Sequence, residues 1–281
     1  MSGINSHQQL VINKLRSVGL LTLMGLATIS DAAYVSVNVA TALGDRIQFD
    51  EILADEMLSE ADLRLNDSSS IGSVAAWAGG SATGALRART TASMVPPGSF
   101  NHSAGIANAM LFDLLTFVIP AGTYDTDLNV TLTGNISGTL SASGDTVFTF
   151  SQVDFNASLT ALDGFSFSAR TEESPGTQFD QDFQITTTLV PAGTTVFSTQ
   201  EQTLGLAAQL RTEARAAETA PASGSASAEF YNTVRFLSLD VPSGITWTSE
   251  SGQFLVPVPA AAWLFGSGLI GIIGLARRKK S

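Results

Sequence analysis

The sequence contains no cysteine, and histidine is almost absent. Without cysteine, neither disulfides nor thiolate metal sites can form, which is compatible with an exported protein that folds without oxidative help. His102, in a polar loop, is the one histidine after residue 33, and one histidine cannot supply a usual zinc site. A Ser-His-Asp triad would have to use the same residue, and there is no G-x-S-x-G motif. The sequence therefore predicts a protein that is not an enzyme, with no catalytic residue and no cofactor.

Basic residues are scarce, and their positions are informative. The chain has 14 Lys and Arg against 25 Asp and Glu, a formal net charge of −11. Six cations lie near the two ends, so residues 34–255 hold eight arginines and 24 acidic residues, a net charge of −16. Such an acidic surface repels phosphate backbones, which excludes nucleic acid as a partner.

The last 26 residues have three distinct parts. A short proline element, Val256–Pro259, precedes an uncharged apolar run, residues 260–276. Seventeen helical residues span about 26 Å, enough for a thin hydrocarbon core. The chain then closes with the basic cluster Arg277, Arg278, Lys279 and Lys280, which should stay on the cytoplasmic side of a membrane. The pattern predicts a single transmembrane helix whose stop-transfer signal is the basic cluster.

This order of proline element, apolar helix and basic end resembles the PEP-CTERM sorting signal of Gram-negative bacteria. The resemblance covers residues 256–281 and implies processing by exosortase, a membrane transpeptidase-like protease. It names Pro257, Val258 and Pro259 as the sorting motif, with Val258 in place of the motif's central Glu, close to the VPLPAAAWL variant of the family. It implies delivery to the cell envelope or to an exopolysaccharide matrix, with a role in biofilm formation.

The first 33 residues have the features of a secretory signal peptide. Lys14 and Arg16 form a basic region, and Val18–Ile29 is an apolar core of 12 residues, too short to span a membrane comfortably. Small residues at Ser30, Ala32 and Ala33 predict cleavage by signal peptidase after Ala32 or Ala33. We expect a precursor held in the inner membrane by its C-terminal helix, and a mature domain of residues 34–255 outside the cytoplasm.

The sequence of residues 34–255 predicts a single, mainly β domain that folds as an antiparallel β-sandwich. Apolar and polar residues alternate in several short segments, as in Leu128, Val130 and Leu132, and Gly- or Pro-containing turns separate them. Three segments carry other expectations: part of 51–63 as a short surface helix, 66–70 as a loop, and 249–255 as a link to the sorting motif.

A short motif occurs twice, at Ile119–Thr123 (IPAGT) and Val190–Thr194 (VPAGT). Each copy follows a strand-like segment rich in Leu, Val or Thr. The pair could mark equivalent bends in facing sheets, or it could be chance reuse of a good turn sequence.

Residues 34–255 contain candidates for three kinds of site: a calcium site, a glycosidase site and a polysaccharide-binding site. Two D-x-D pairs beside turns, Asp125 with Asp127 and Asp180 with Asp182, offer hard oxygen ligands for Ca²⁺. A glycosidase would need two carboxylates across a cleft, and Asp154 and Asp163 are arbitrary nominees. If exposed, Trp77 and Trp247 would point to polysaccharide binding, but both neighbour strand-like residues and are predicted to be core.

The sequence thus predicts an exported structural protein of the cell surface or the exopolysaccharide matrix. Its expected partners are signal peptidase, exosortase, the inner membrane and exopolysaccharide. The alternative is an anchored module that binds carbohydrate or calcium.

Overall fold

The computed structural model of the chain describes residues 34–44, 46–54, 61–70, 72–95, 102–144, 149–160, 163–172, 174–190, 195–217 and 223–255. The predicted signal peptide and the predicted sorting signal lie outside these ranges. The described residues form fifteen strands: β1 (Tyr34–Leu43), β2 (Arg46–Ala54), β3 (Ala61–Ser69), β4 (Gly72–Ser81), β5 (Ala85–Met94), β6 (His102–Ile119), β7 (Gly122–Thr123), β8 (Asn129–Ser143), β9 (Phe150–Ser158), β10 (Gly164–Thr171), β11 (Ser174–Thr188), β12 (Thr195–Val196), β13 (Gln200–Ala217), β14 (Gly224–Asp240) and β15 (Thr246–Ser249).

The strands form two antiparallel sheets that pack face to face, so the fold is sandwich-like and mainly β, as predicted. Sheet A has the order β10-β9-β13-β6-β1-β2, and β15 extends it by pairing with β6 beyond the end of β1. Sheet B has the order β11-β8-β14-β5-β4-β3. The two sheets match strand for strand, because β2 lies against β3 at one side and β10 against β11 at the other.

The core lies between the sheets and follows the two-residue period of the strands. Leu128, Val130 and Leu132 are all buried in it, which confirms their predicted shared face. Phenylalanine rings fill its widest part: the Phe183 ring centroid lies 5.1 Å from that of Phe155 and 5.7 Å from that of Phe236. Edge and tilted contacts of this kind stabilise aromatic clusters beyond simple burial.

The expected helix in residues 51–63 is wrong for the part of it that is described. Residues 51–54 belong to β2, which pairs with β1, and residues 61–63 begin β3, which pairs with β4. The expected loop at 66–70 is wrong as well, since β3 continues to Ser69. Both segments lie at the sheet edges. There the backbone hydrogen bonds of the neighbouring strand outweigh weak local helix or loop preferences.

Residues 249–255 are more than a link to the sorting motif. After β15 the chain turns back, and Glu250 N donates a hydrogen bond of 2.8 Å to Leu114 O in sheet A. Phe254 is fully buried, with its ring centroid 5.4 Å from that of Phe236. The last described turn is therefore part of the core.

The two IPAGT-like segments follow strands of different sheets and lead to the same place. The first follows β6 in sheet A and contains β7, while the second follows β11 in sheet B and runs into β12. β7 pairs with β12, and the hydroxyl oxygens of Thr123 and Thr195 lie 3.3 Å apart. The two segments therefore meet at one end of the sandwich, although residues 191–194 are outside the described ranges.

Over the described ranges, the structure has no helix with the length and apolar character needed to cross a membrane. The predicted transmembrane helix, residues 260–276, falls outside those ranges.

Candidate functional site

Trp77 lies on the outer face of sheet B and not in the core, so the prediction for it was wrong. On β4, Val74, Ala76 and Ala78 point inward and are buried, which places Trp77 on the opposite face with partial exposure. Sequence alternation shows which residues share a face. It does not show that this face is solvated.

The indole of Trp77 is held against the sheet surface. A Cβ atom placed on Gly79 would lie 3.3 Å from indole atom Cζ2, so the ring extends across the glycine two residues further along β4. Indole Nε1 donates a hydrogen bond to Asp62 Oδ1 on the neighbouring strand β3. The contact with Gly79 and the hydrogen bond to Asp62 therefore fix the plane of the ring.

Tyr231 joins Trp77 because the central strand β14 carries a bulge. Phe230 pairs with Ala88 and Val234 pairs with Leu86, so β14 has two more residues here than β5. The same irregularity appears opposite β8. Bulges bend a strand and redirect its side chains. Tyr231, at the start of the bulge, is 40% exposed, and its ring centroid lies 5.3 Å from that of Trp77 with the planes tilted by 45°.

Arg89 and Glu229 complete the group. Arg89 on β5 is the cross-strand partner of both Trp77 and Glu229. Its guanidinium donates to Glu229 Oε1 at 3.0 Å and to the Tyr231 hydroxyl, and its Cζ lies 5.0 Å from the Tyr231 ring centroid. These contacts order the charged side chain beside the rings.

We call these five residues, Trp77, Tyr231, Arg89, Glu229 and Asp62, the aromatic patch. The net charge of these five residues is −1, and they combine a partly exposed indole and an exposed phenol ring with hydrogen-bonding groups around them. Such a surface is suited to binding a ligand.

Trp247 lies elsewhere. It belongs to β15, pairs with the buried Phe117, and packs against the main core while partly buried. Trp247 therefore belongs to the core, as predicted, although it is only partly buried. The two tryptophans lie on different sheets and do not form one site.

The structure does not bring the D-x-D pairs together into a metal site. Among the described residues, no three His, Cys, Asp or Glu side chains form a group that could hold a metal ion. Asp180 and Asp182 lie inside β11, not beside a turn as expected, and the Asn135 amide donates to both, at 2.9 and 2.8 Å. Asp125 and Asp127 lie in the segment between β7 and β8.

The nominated glycosidase carboxylates have local structural partners. Asp154 on β9 accepts hydrogen bonds from Gln152 and Ser168, and Asp163 is bonded to Thr160 within the β9–β10 turn. His102 begins β6 and does not lie in a loop. The sorting motif Pro257–Pro259 and the basic cluster 277–280 lie outside the described residues.

A shallow apolar depression of about 360 Å³ lies on sheet A, between Tyr34, Met110, Asn156 and Phe165. Tyr34 stacks on Phe112, with ring centroids 5.5 Å apart, and burial raises the pKa of its phenol. No Asp, Glu, Lys, Arg or His lines this depression. Its polar lining side chains are all uncharged, whereas the aromatic patch also contains an ion pair.

Sequence reasoning missed Tyr231 and Arg89 entirely. The bulge could not be seen in the sequence. Phe230 and Val234 both point inward with three residues between them, and a regular strand with a two-residue period would place them in the same way. No matching protein-family model, curated protein or solved structure was found for the chain.

Proposed function

We propose that the chain is an exported structural protein of the cell surface or the exopolysaccharide matrix, sorted and processed at its C-terminus by exosortase. One observation carries this proposal: a proline element, a 17-residue uncharged run and four consecutive cations follow one another at residues 256–281. The leader of residues 1–33 supplies the matching export signal.

The position of the motif relative to the sandwich suits such processing. Phe254 is in the core, and Pro257 follows only three residues later in the sequence. A protease that recognises Pro257–Pro259 would cut the chain just after the folded domain and would leave both sheets intact.

The test is the intact mass of the mature protein, measured in surface and medium fractions of its own host. The proposal expects a chain that begins near Ala33 or Tyr34 and ends around Pro257–Pro259. A chain that keeps Arg277–Ser281 and occurs only with membranes would contradict processing, and the protein would then be a single-span membrane protein.

Two variants sharpen the test. Replacing Pro257 and Pro259 by Ala should leave the C-terminal tail attached, because the proposed recognition element is gone. Val258→Glu restores the central Glu of the family motif and should be processed at least as completely as the natural chain. Pro242→Ala, in the turn between β14 and β15, is the matched proline control and should not change processing.

The second candidate function is an anchored carbohydrate-binding module, and the Trp77–Tyr231 pair on the outer face of sheet B favours it. The calcium version of this alternative receives no comparable support, because the Asn135 amide hydrogens already occupy the space between Asp180 and Asp182.

A further inference from the structure

We propose that the aromatic patch binds a neutral polysaccharide, with one pyranose ring stacked on the indole of Trp77. The C–H bonds on a pyranose face carry small positive charges, and the face of an aromatic ring is negative. The sugar hydroxyls at the ring's edge would meet the polar groups of Arg89, Glu229 and Asp62.

The indole is ordered before any ligand arrives. Gly79 leaves room for the ring to lie along the strand, and Asp62 accepts the Nε1 hydrogen bond. Binding to a preordered side chain avoids the entropy cost of immobilising it. The same hydrogen bond occupies the one polar atom of the indole, so the ring itself can offer a ligand apolar contact only.

Tyr231 provides a second aromatic surface beside the indole of Trp77. Its ring is tilted by 45° to the indole at a centroid distance of 5.3 Å, so the two rings are inclined to each other and are not stacked in parallel. A sugar on Trp77 would therefore touch Tyr231 with its edge. The bulge in β14 explains why a central strand presents such a group at all.

The surroundings of the patch favour a long chain over a single sugar. Further along the same face, short hydroxyl side chains pair across the strands: Ser73 with Ser93, Ser141 with Ser227, and Ser143 with Ser225, at 2.8 to 2.9 Å. This polar surface continues the outer face of sheet B beyond the patch, so a polymer could extend across it.

The net charge of the whole domain, more than the local charges, favours a neutral polymer over an acidic one. Beside Trp77, Arg89 is paired with Glu229 and Asp62 adds a negative charge, while Arg64 and Arg87 are the cross-strand partners of Trp77 and Gly79. Residues 34–255 carry a net charge of −16. A polyuronate would be repelled by this domain, and an uncharged chain would not.

The experiment uses the full chain in lipid nanodiscs and two immobilised probes: the neutral fraction of the host's exopolysaccharide, and a polyuronate. The choice of the host polymer rests on the proposed function, but binding by the purified chain does not depend on sorting. The binding proposal and the sorting proposal can therefore fail independently of each other. We expect binding to the neutral probe, little change between low and high salt, and no binding to the polyuronate.

Trp77→Ala and Tyr231→Ala should each weaken binding about tenfold, since each removes one ring contact. Trp247→Phe is the matched control and should bind as the natural chain does. The proposal is overturned if the natural chain does not bind the neutral probe, if Trp77→Ala binds as well, or if only the polyuronate binds.

A spectroscopic measurement covers the case in which Trp77→Ala does not fold. In a chain with Trp247 and Trp263 replaced by Phe, Trp77 is the remaining tryptophan. Its emission should shift to shorter wavelength when the neutral probe is added, because stacking removes water from the ring. An unchanged spectrum at saturating probe would contradict the proposal.

Discussion

Ser251 and Asp113 form a buried hydrogen bond that attaches the last described turn to strand β6. Ser251 Oγ donates to Asp113 Oδ2 at 2.6 Å, and Asp113 is fully buried. The same carboxylate accepts from the Leu114 and Ser251 amides at 2.8 and 3.2 Å. A buried carboxylate is tolerated because three donors satisfy it. This contact places the last turn before the proposed sorting motif inside the fold.

Ser251→Ala should destabilise the chain by about 1–3 kcal/mol, because it removes a donor from a buried carboxylate. Urea unfolding of the full chain measures this change. Ser225→Ala, which breaks an exposed hydroxyl pair with Ser143, is the control and should change stability by less than about 0.5 kcal/mol. Equal effects of the two substitutions would contradict the proposed importance of the buried bond.

Gly134 is required by the ring packed over it. A Cβ at Gly134 would lie 2.2 Å from Phe183 Cζ and 2.7 Å from Arg235 O, so Gly134→Ala forces the aromatic cluster or the backbone to move. We expect a loss of about 1–3 kcal/mol in the free energy of unfolding.

Gly205→Ala is the comparison for Gly134, because both are strand glycines. Its nearest contact would be 3.6 Å, from Phe112 Cε2, and the added methyl would restrict the unfolded chain. Thermal unfolding should therefore show little change or a small gain. A melting temperature that falls as far as in Gly134→Ala would show that the loss has a cause other than the Phe183 contact.

The side-chain amide of Asn135 bridges the carboxylates of Asp180 and Asp182. Asn135→Asp would replace the two donated hydrogen bonds by a third negative charge between Asp180 and Asp182, and should lower stability by about 1 kcal/mol at these exposed positions. Added Ca²⁺ should restore part of the loss in that variant, since three carboxylates can bind it. In the natural chain, melting curves with and without chelator should coincide. A fall in melting temperature with chelator would revive the calcium alternative.

The bulge in β14 is proposed to serve binding and not stability. Deleting Asn232 and Thr233 removes the two extra residues and keeps the inward and outward alternation of the flanking strand. The backbone hydrogen bonds of β14 to β5 and β8 would then continue without interruption, so the free energy of unfolding should be unchanged or higher. Binding to the neutral polysaccharide should fall, because Tyr231 would leave its tilted position beside Trp77. A deletion variant that unfolds would instead give the bulge a structural role.

Strand periodicity was readable in several segments in which one face is buried. Leu128, Val130 and Leu132 lie inward as predicted, because a two-residue period leaves no other way to bury them together. The segment 51–63 was misread, because short stretches of mixed Leu, Ile and acidic residues fit both a helix and an edge strand. Pairing with β1 and β4, which is remote in sequence, decided between them.

The aromatic patch shows the limit of the sequence most clearly. Trp77 was visible as a tryptophan in a strand, but its exposure depends on which face of sheet B is left uncovered. Tyr231 and Arg89 lie on strands far apart in the chain, and only the pairing of β4, β5 and β14 brings them beside it.

By itself, the sequence determined the mainly β character of residues 34–255, their acidic charge, and the composition of the two terminal segments, since these depend on composition and on the order of neighbouring residues. Tertiary structure alone decided the strand order, the buried Asp113–Ser251 contact and the aromatic patch. Their common physical reason is that each depends on cross-strand register and sheet packing between residues widely separated in the chain.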